Sequence, residues 1–255
     1  MSDTITKKPL KVVILAAGQG KRLKSEHTQI PKAMREANGK PLLYYVLKSI
    51  DFIHDKKDII IVVGFLKEMI MQAFPEYMFA IQEERKGTGH AVKITKELLK
   101  NYTGNILVLL GDMPLIKRET VKKLMETHEK NNNKCTVLSC NMDEVLSFGR
   151  IIRDKNNNFV EILENRDCPP ELKNIKEYNT GVMIFDSQKL FEQLENLQNN
   201  NNSGEYYLTD VPKLFLEKNY KVGVYATDNQ NEFYGVSSEE DLNLIENILK
   251  SNSAK

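Results

Sequence analysis

Four short runs of aliphatic residues constrain the fold of this chain more than any other feature. They are KVVIL at residues 11–15, DIIIVV at 58–63, MFAIQ at 78–82 and NILVLL at 105–110. Because the runs are continuous rather than alternating, each is typical of a strand covered on both faces. Amphipathic segments at residues 41–50, 66–73 and 89–100 lie between them. This order predicts a mainly parallel sheet with helices on both sides.

The second half of the chain changes character. Residues 149–153 and 159–164 flank a turn rich in Asn and Asp, which predicts an antiparallel hairpin. The remaining segments predict strands at 135–140 and 178–185, and helices at 117–130, 187–197, 208–218 and 238–250. We therefore expect one α/β domain, a Rossmann-like, three-layer, doubly wound sheet with a small antiparallel insertion over the mouth of the sheet.

Composition and charge exclude several classes of function. The chain has 255 residues and a net charge of +1, so it lacks the basic character expected of a nucleic-acid partner. Its apolar runs are far shorter than the roughly 20 residues of a membrane helix, and the N-terminus has no apolar signal-peptide core. Cys135, Cys140 and Cys168 form no CxxC spacing, and the first two would point to opposite faces of one strand. These features predict no zinc site, no membrane association and a reducing cytoplasmic location.

A candidate phosphate-binding loop follows the first strand. The segment LAAGQGKRL spans residues 15–23, and Pro31-Lys32 comes shortly after it. Gly18 and Gly20 let backbone N–H groups approach phosphate oxygens closely, Arg22 can bind two of those oxygens, and Lys32 supplies a point charge. The Walker pattern is absent, and Leu23 stands where a dinucleotide fold has its third glycine. An ordinary strand-to-helix turn is the alternative interpretation.

Two polar residues follow other strands. Gln82 ends the third run ahead of the segment GTGHA at 87–91, and its amide can give and take hydrogen bonds at a pyrimidine edge. Asp112 follows NILVLL, where a carboxylate suits Mg²⁺. Ligands bind outside the carboxyl ends of such strands, so we expect these residues at one crevice. The alternative for Gln82 is an ordinary surface glutamine, and the alternative for Asp112 is a helix cap. We interpret His90 as a helix-start residue rather than a catalyst.

These motifs together resemble the sugar-phosphate nucleotidyltransferase family. Within it, the chain is similar over about residues 10–245 to the N-acetylglucosamine-1-phosphate uridylyltransferase domain of bifunctional bacterial enzymes. Further matching segments are GDMPL at 111–115, FGRI at 148–151, EILE at 161–164, YNTG at 178–181 and GEYYLTD at 204–210. The resemblance implies the nucleotide-diphospho-sugar transferase fold. It also implies that UTP and N-acetylglucosamine 1-phosphate are converted to UDP-N-acetylglucosamine and pyrophosphate by in-line attack on the α-phosphate.

The resemblance also implies roles for individual residues. The catalytic residues are Arg22, Lys32 and Asp112, with Asp112 as the principal Mg²⁺ ligand. The nucleotide-binding residues are Leu15, Ala16, Ala17, Gly18, Gly20, Gln82, Gly87 and Thr88. The sugar-binding residues are Gly149, Glu164, Asn179, Tyr207 and Thr209.

The sequence departs from the family pattern at two places. The family has G-V-N where this chain has Gly235-Val236-Ser237, so the expected second metal ligand is a serine, whose hydroxyl is shorter and a weaker ligand. Ser237 also opens a capping-box pattern that ends at Glu240, which gives it a purely structural interpretation. In addition, the stretch between Arg22 and Lys32 is a few residues longer than the resemblance leads us to expect, and because loops tolerate such insertions we still expect Lys32 to reach its phosphate.

The organisation that we expect is a single domain at residues 10–250, after a flexible segment at 1–9 and before a tail at 251–255. Within the domain, 10–140 form a nucleotide-binding half, 141–235 a sugar-binding half and 236–250 a C-terminal helix. Hexapeptide repeats are absent from the sequence, so acetyl transfer is not expected, and monomer and dimer both remain open. Two alternatives also remain, a uridylyl- or cytidylyltransferase for another sugar phosphate and a nucleotide-sugar-binding protein that has lost catalysis.

Overall fold

The computed structural model describes residues 8–20, 23 and 25–253. Residues 1–7 of the segment predicted to be flexible lie outside the described residues, and so does Arg22. Most of the predicted tail lies inside them, because the last helix continues to Ser253. No glycine or proline follows residue 250 to end that helix earlier.

The secondary structure alternates strands and helices through the first half of the chain. In chain order this half contains β1 (Leu10–Leu15), α1 (Ser25–Thr28), β2 (Glu36–Ala37), β3 (Lys40–Pro41), α2 (Leu42–Ser49), β4 (Ile59–Val63), α3 (Lys67–Ala73), β5 (Met78–Ile81), α4 (Thr88–Lys93), β6 (Asn105–Leu110), α5 (Arg118–Lys130) and β7 (Cys135–Asn141). The second half contains β8 (Arg150–Arg153), β9 (Phe159–Leu163), β10 (Glu177–Asp186), α6 (Ser187–Leu194), α7 (Val211–Glu217), β11 (Val222–Thr227) and α8 (Glu239–Ser253).

Apart from β2 and β3, which pair as a separate antiparallel ribbon, the described strands form one mixed sheet, with the order β11-β7-β10-β6-β1-β4-β5 along its main path. β1 runs parallel to its neighbours β4 and β6. The pairs β4 with β5 and β7 with β11 are also parallel, whereas β10 is antiparallel to both of its neighbours, β6 and β7. β8 and β9 form an antiparallel hairpin that joins β10 through the pair Tyr178 and Arg150. The predicted α/β fold, mainly parallel with a small antiparallel insertion, is therefore confirmed.

The sheet is buried on both faces, as its continuous aliphatic runs predict. In β1, Val13 packs into one core cluster, and its neighbours Val12 and Ile14 pack into the cluster on the opposite face. All three are fully buried. Each such side chain stabilises the fold by about 1.5–3 kcal/mol relative to an exposed one. Cys135 and Cys140 also lie in different clusters, and all three cysteines are unpaired.

Several helix boundaries differ from the prediction. The helix predicted over 89–100 is α4 followed by a 3-10 turn, Ile94–Lys96, and α6 ends at Leu194 rather than at residue 197. The helix predicted over 208–218 is a 3-10 turn, Leu208–Asp210, followed by α7. Pro212 lies in the first turn of α7, where its missing N–H breaks no hydrogen bond.

A third, smaller core positions the loop that follows β1. The buried residues Leu23, Leu42, Leu115, Val236 and Ile245 pack together in it. Arg35 strengthens this corner, because its guanidinium donates to the backbone oxygen of Leu23 at 3.1 Å and pairs with Glu239 at 2.6 Å. The loop, the segment after Asp112 and α8 are thus held against one another. None of the described helices is both long enough and apolar enough to cross a bilayer.

Candidate active site

A cleft opens at the carboxyl ends of β1 and β6. It consists of two adjoining cavities of about 560 Å³ and about 200 Å³, and Leu15, Thr88, Leu110 and Asp112 line both of them. This is the edge at which open α/β sheets bind ligands. Asp112 therefore lies where the two cavities adjoin.

The loop after β1 lines the larger cavity with Leu15, Ala17, Gly18 and Gly20. Ala16 does not line it, because its side chain is buried in the core under the sheet. Gly20 has a φ of +68°, and a Cβ there would lie 3.2 Å from the Cβ of Lys32. Glycine is therefore required for the turn and for the close approach of Lys32.

Lys32 contacts Asp112 at the cleft despite the longer loop before it, although it lines neither cavity. The loop contains α1 and is anchored by Leu23, and Lys32 opens a 3-10 turn after Pro31. The ammonium of Lys32 forms an ion pair with the carboxylate of Asp112, and both side chains are only about one-fifth exposed. Two of the three predicted catalytic residues are thus in direct contact, and the third, Arg22, lies outside the described residues.

Gln82 lines the larger cavity and directly follows β5. It is 5% exposed, and its Nε2 donates to the backbone oxygen of Gly87 at 3.1 Å. Gly87 has a φ of +108°, and a Cβ there would lie 2.5 Å from the backbone oxygen of Tyr206. Thr88 accepts a hydrogen bond from the N–H of Leu208 at 3.0 Å. Gln82, Gly87 and Thr88 are therefore brought together, as the sequence predicts.

The smaller cavity is lined by four of the predicted sugar-binding residues, Gly149, Glu164, Asn179 and Thr209. The hydroxyl of Thr209 donates to the Glu164 carboxylate at 2.9 Å. Burial raises the pKa of Glu164, and the Thr209 hydrogen bond opposes that shift. The N–H of Asn179 donates to the Gly149 oxygen at 2.9 Å, which ties the two walls together. Tyr207 lines neither cavity, and its role in sugar binding stays a prediction.

Ser237 lines the smaller cavity, but it is not the helix cap that the sequence suggested. The cap consists of Ser238 and Asp241. The Ser238 hydroxyl accepts from the Asp241 N–H at 3.2 Å, and the Asp241 carboxylate accepts from the Ser238 N–H at 2.9 Å. The capping-box interpretation of Ser237 and Glu240 is therefore wrong by one residue. The pattern Ser-Ser-Glu-Glu-Asp fits either register, and the helix begins at the later one, Glu239.

This correction leaves the Ser237 hydroxyl available to a ligand, since none of the described residues forms a hydrogen bond with it. Its position beside the acidic site is fixed by the N–H of Val236, which donates to the backbone oxygen of Asp112 at 2.9 Å. Within the described part of the chain, no group of three or more His, Cys, Asp or Glu side chains could hold a metal. One carboxylate and one hydroxyl at an open cleft suit Mg²⁺ instead, because Mg²⁺ keeps several waters and completes its shell with substrate phosphates.

Two residues contribute to the site in ways that sequence reasoning missed. His90 lies behind Gln82, with its Nδ1 at 3.1 Å from the amide Nε2. Arg150 is 1% exposed and holds the loop that carries Gly149, since it donates to the backbone oxygens of Leu146, Phe148 and Lys173 and to the side chain of Asn165. The family segments GTGHA and FGRI contain both residues, but the letters alone do not reveal which hydrogen-bond partners they face.

Comparisons with known proteins agree with this geometry. The family model described as the MobA-like NTP transferase domain matches residues 12–210. The chain is 38% identical over 239 residues to the protein named Bifunctional protein GlmU of Streptococcus uberis, and 39% identical over 241 residues to that of Clostridioides difficile. These matches cover 93% and 94% of this chain but 51% of each relative, so the chain spans about half the length of the curated relatives it matches. The region matched by the family model includes most of the residues that line the cleft. Because that model covers most of the chain, the chain belongs to the MobA-like NTP transferase family.

Proposed function

We propose that this nucleotidyltransferase transfers the uridylyl group of UTP to N-acetylglucosamine 1-phosphate, forming UDP-N-acetylglucosamine and pyrophosphate. The observation that carries the proposal is that Asp112 lines two adjoining cavities, one of them also lined by Gln82 and the other by Glu164 and Asn179. The names of the relatives and their similarity over nearly the whole of this chain support the same assignment.

The larger cavity suits the nucleotide. Backbone N–H groups beside Gly18 and Gly20 would bind the phosphates, and the Gln82 amide, which lines the same cavity, would meet the base. The smaller cavity suits the sugar, because the Glu164 carboxylate and the Asn179 amide accept hydrogen bonds from hydroxyl groups. A site built on such groups rejects sugars that cannot satisfy them.

The chemistry is one in-line displacement. An oxygen of the sugar phosphate forms a bond to the α-phosphorus of UTP, and the bond from that phosphorus to the bridging oxygen of pyrophosphate breaks. The attacking oxygen is already anionic, so no general base is required, and catalysis rests on positioning and charge neutralisation. Lys32 neutralises charge at the reacting phosphates from its position against Asp112. Arg22 is assigned to the departing pyrophosphate by resemblance.

Asp112 would hold Mg²⁺, with Ser237 contributing its hydroxyl directly or through a water. When bound, Mg²⁺ supplies charge neutralisation on the phosphates. The pairing of Asp112 with Lys32 holds the two groups together in the cleft.

The same proposal includes a monomer or dimer acting on small-molecule substrates, without nucleic acid or membrane. It also includes a reducing cytoplasmic location, which the three unpaired cysteines favour.

Pyrophosphate release tests the proposal. UTP, CTP and dTTP are each combined with N-acetylglucosamine 1-phosphate, glucose 1-phosphate and galactose 1-phosphate, with Mg²⁺ and with excess chelator. We expect the fastest release with UTP and N-acetylglucosamine 1-phosphate, and none with chelator. A preference for another pair would instead identify a transferase for that base or sugar.

A second candidate, a nucleotide-sugar-binding protein without catalysis, is favoured by one observation, the serine at position 237. Calorimetric titration with UDP-N-acetylglucosamine distinguishes it from the enzyme. Tight binding without turnover of any pair would favour this candidate over the transferase.

A further inference from the structure

The amide of Gln82 is held in one orientation by two partners. Its Nε2 lies 3.1 Å from the backbone oxygen of Gly87 and 3.1 Å from Nδ1 of His90. A carbonyl oxygen only accepts hydrogen bonds, so the amide group that faces Gly87 must be the NH₂. Its second hydrogen is directed to His90. The amide atom that remains for a ligand in the cavity is therefore Oε1, to which none of the described residues donates.

His90 accepts this hydrogen bond only while Nδ1 carries no proton. The residue is half-buried in the first turn of α4. Burial and the nearby Lys86 lower the pKa of His90, and Glu84 opposes them. The imidazole is thus neutral near pH 7, with its proton on Nε2. The ring faces a third cavity, outside the cleft. The charged or titratable groups near it, in that cavity and in the loop before α4, are Glu84, Lys86, Lys93, Glu195 and Tyr206.

We infer that His90 is a positioning residue that sets the base preference of the cleft by fixing the Gln82 amide with its oxygen towards the nucleotide. An oxygen at that point accepts the N3–H of uracil, whereas cytosine presents a bare nitrogen at N3, which the oxygen repels. This inference rests on the proposed function, since it assumes that the base lies beside Gln82. It adds a residue that touches neither the base nor the reacting phosphates.

The consequence of losing His90 follows from the remaining contact. In a His90→Leu variant only Gly87 holds the amide, so turning its NH₂ towards cytosine breaks one hydrogen bond instead of two. One net hydrogen bond is worth about 0.5–1.5 kcal/mol, so the preference for uracil should fall roughly two- to tenfold. His90→Asn places an acceptor oxygen near the position of Nδ1 and should restore the preference. His54→Leu makes the same substitution at an exposed histidine outside the cleft and is the matched control.

The test measures affinity for UDP and for CDP by calorimetry, together with kcat and KM for UTP and CTP. We expect His90→Leu to lower the UDP-to-CDP ratio and to raise KM for UTP with little change in kcat. His90→Asn and His54→Leu should keep the wild-type ratio. An unchanged ratio in His90→Leu, or an equal loss in His54→Leu, would overturn the inference.

A pH series on the wild-type chain tests the same idea without the leucine variant, should that variant fold poorly. The UDP-to-CDP ratio should fall as the pH drops through the titration of His90, because protonated Nδ1 no longer accepts from Gln82. In His90→Asn the ratio should stay flat, and a parallel fall in both proteins would contradict the inference. The binding ratio does not require turnover, so failure of the proposed reaction with UTP in the wild-type chain remains distinguishable from failure of this inference.

Discussion

Replacement of Arg150 offers a test of how the sugar side of the cleft is built. Its guanidinium is buried, pairs with no acidic side chain among the described residues and makes five hydrogen bonds, two to the Lys173 oxygen and one each to Leu146, Phe148 and Asn165. These use all five of its N–H donors. The ring of Tyr178 lies 5.4 Å from its central carbon and adds a cation–π contact.

An Arg150→Lys variant keeps the charge but has only three donors, so at least two of the five hydrogen bonds are lost. Hydrogen bonds from charged groups contribute about 1.5–3 kcal/mol each, which predicts a loss of about 3–6 kcal/mol in the free energy of unfolding. That is a large part of the roughly 5–15 kcal/mol typical of a whole domain. The loop that carries Gly149 should loosen, and KM for the sugar phosphate should rise more than KM for UTP.

Urea denaturation followed by circular dichroism measures the stability change, and initial rates give the two KM values. Arg166→Lys is the matched control, because Arg166 is exposed on the segment after β9 and should change stability by less than about 0.5 kcal/mol. A loss below about 1 kcal/mol in Arg150→Lys would refute the hydrogen-bond argument. An equal rise in both KM values would refute the assignment of this loop to the sugar.

Three further predictions concern the charged and titratable groups. Asp112→Ala should reduce pyrophosphate release by roughly 100-fold or more even with excess Mg²⁺, and near-normal turnover would remove Asp112 from the mechanism. Lys32→Met should lower kcat more than it raises KM in steady-state assays, whereas an effect confined to KM would indicate a role in binding alone. Burial lowers the pKa of His128 to about 4, so between that value and its ordinary value near 6.5 the unfolded chain binds more protons. Stability should therefore fall as pH drops through this window, by about 3 kcal/mol at pH 4, and urea titrations of His128→Gln should show a weaker fall. Equal pH dependence in the wild type and His128→Gln would contradict that assignment.

The strands that build the cleft could be predicted because they are buried on both faces. β6 matches its predicted bounds, and β1, β4 and β5 differ by one residue. β11 was missed, since Gly223 interrupts a short run at the edge of the sheet. That glycine is there because a Cβ would lie 2.1 Å from the side chain of Asn133. The reversed direction of β10 was also not predicted, because it depends on how the chain returns to the sheet rather than on local pattern.

The candidate site could be predicted where residues follow strands directly. Gln82 and Asp112 meet at one edge because the carboxyl ends of parallel strands lie together. The roles of His90 and Arg150 could not be predicted, since they depend on hydrogen-bond partners supplied by other segments, the Gln82 donor for His90 and the acceptors around Arg150. The register of the last cap was wrong for a related reason. Ser237 and Ser238 are equivalent by letter, and the packing of Val236 into the third core decides between them.

The most direct test of nucleotidyl transfer follows the phosphorus atoms of UTP. The chain is incubated with N-acetylglucosamine 1-phosphate, Mg²⁺ and UTP labelled either at the α- or at the γ-phosphorus, and the products are separated. In-line attack at the α-phosphorus predicts α-label in UDP-N-acetylglucosamine and γ-label only in pyrophosphate. Label from the γ-position in the sugar product, or no transfer of either label while UDP-N-acetylglucosamine still binds, would contradict the proposed function.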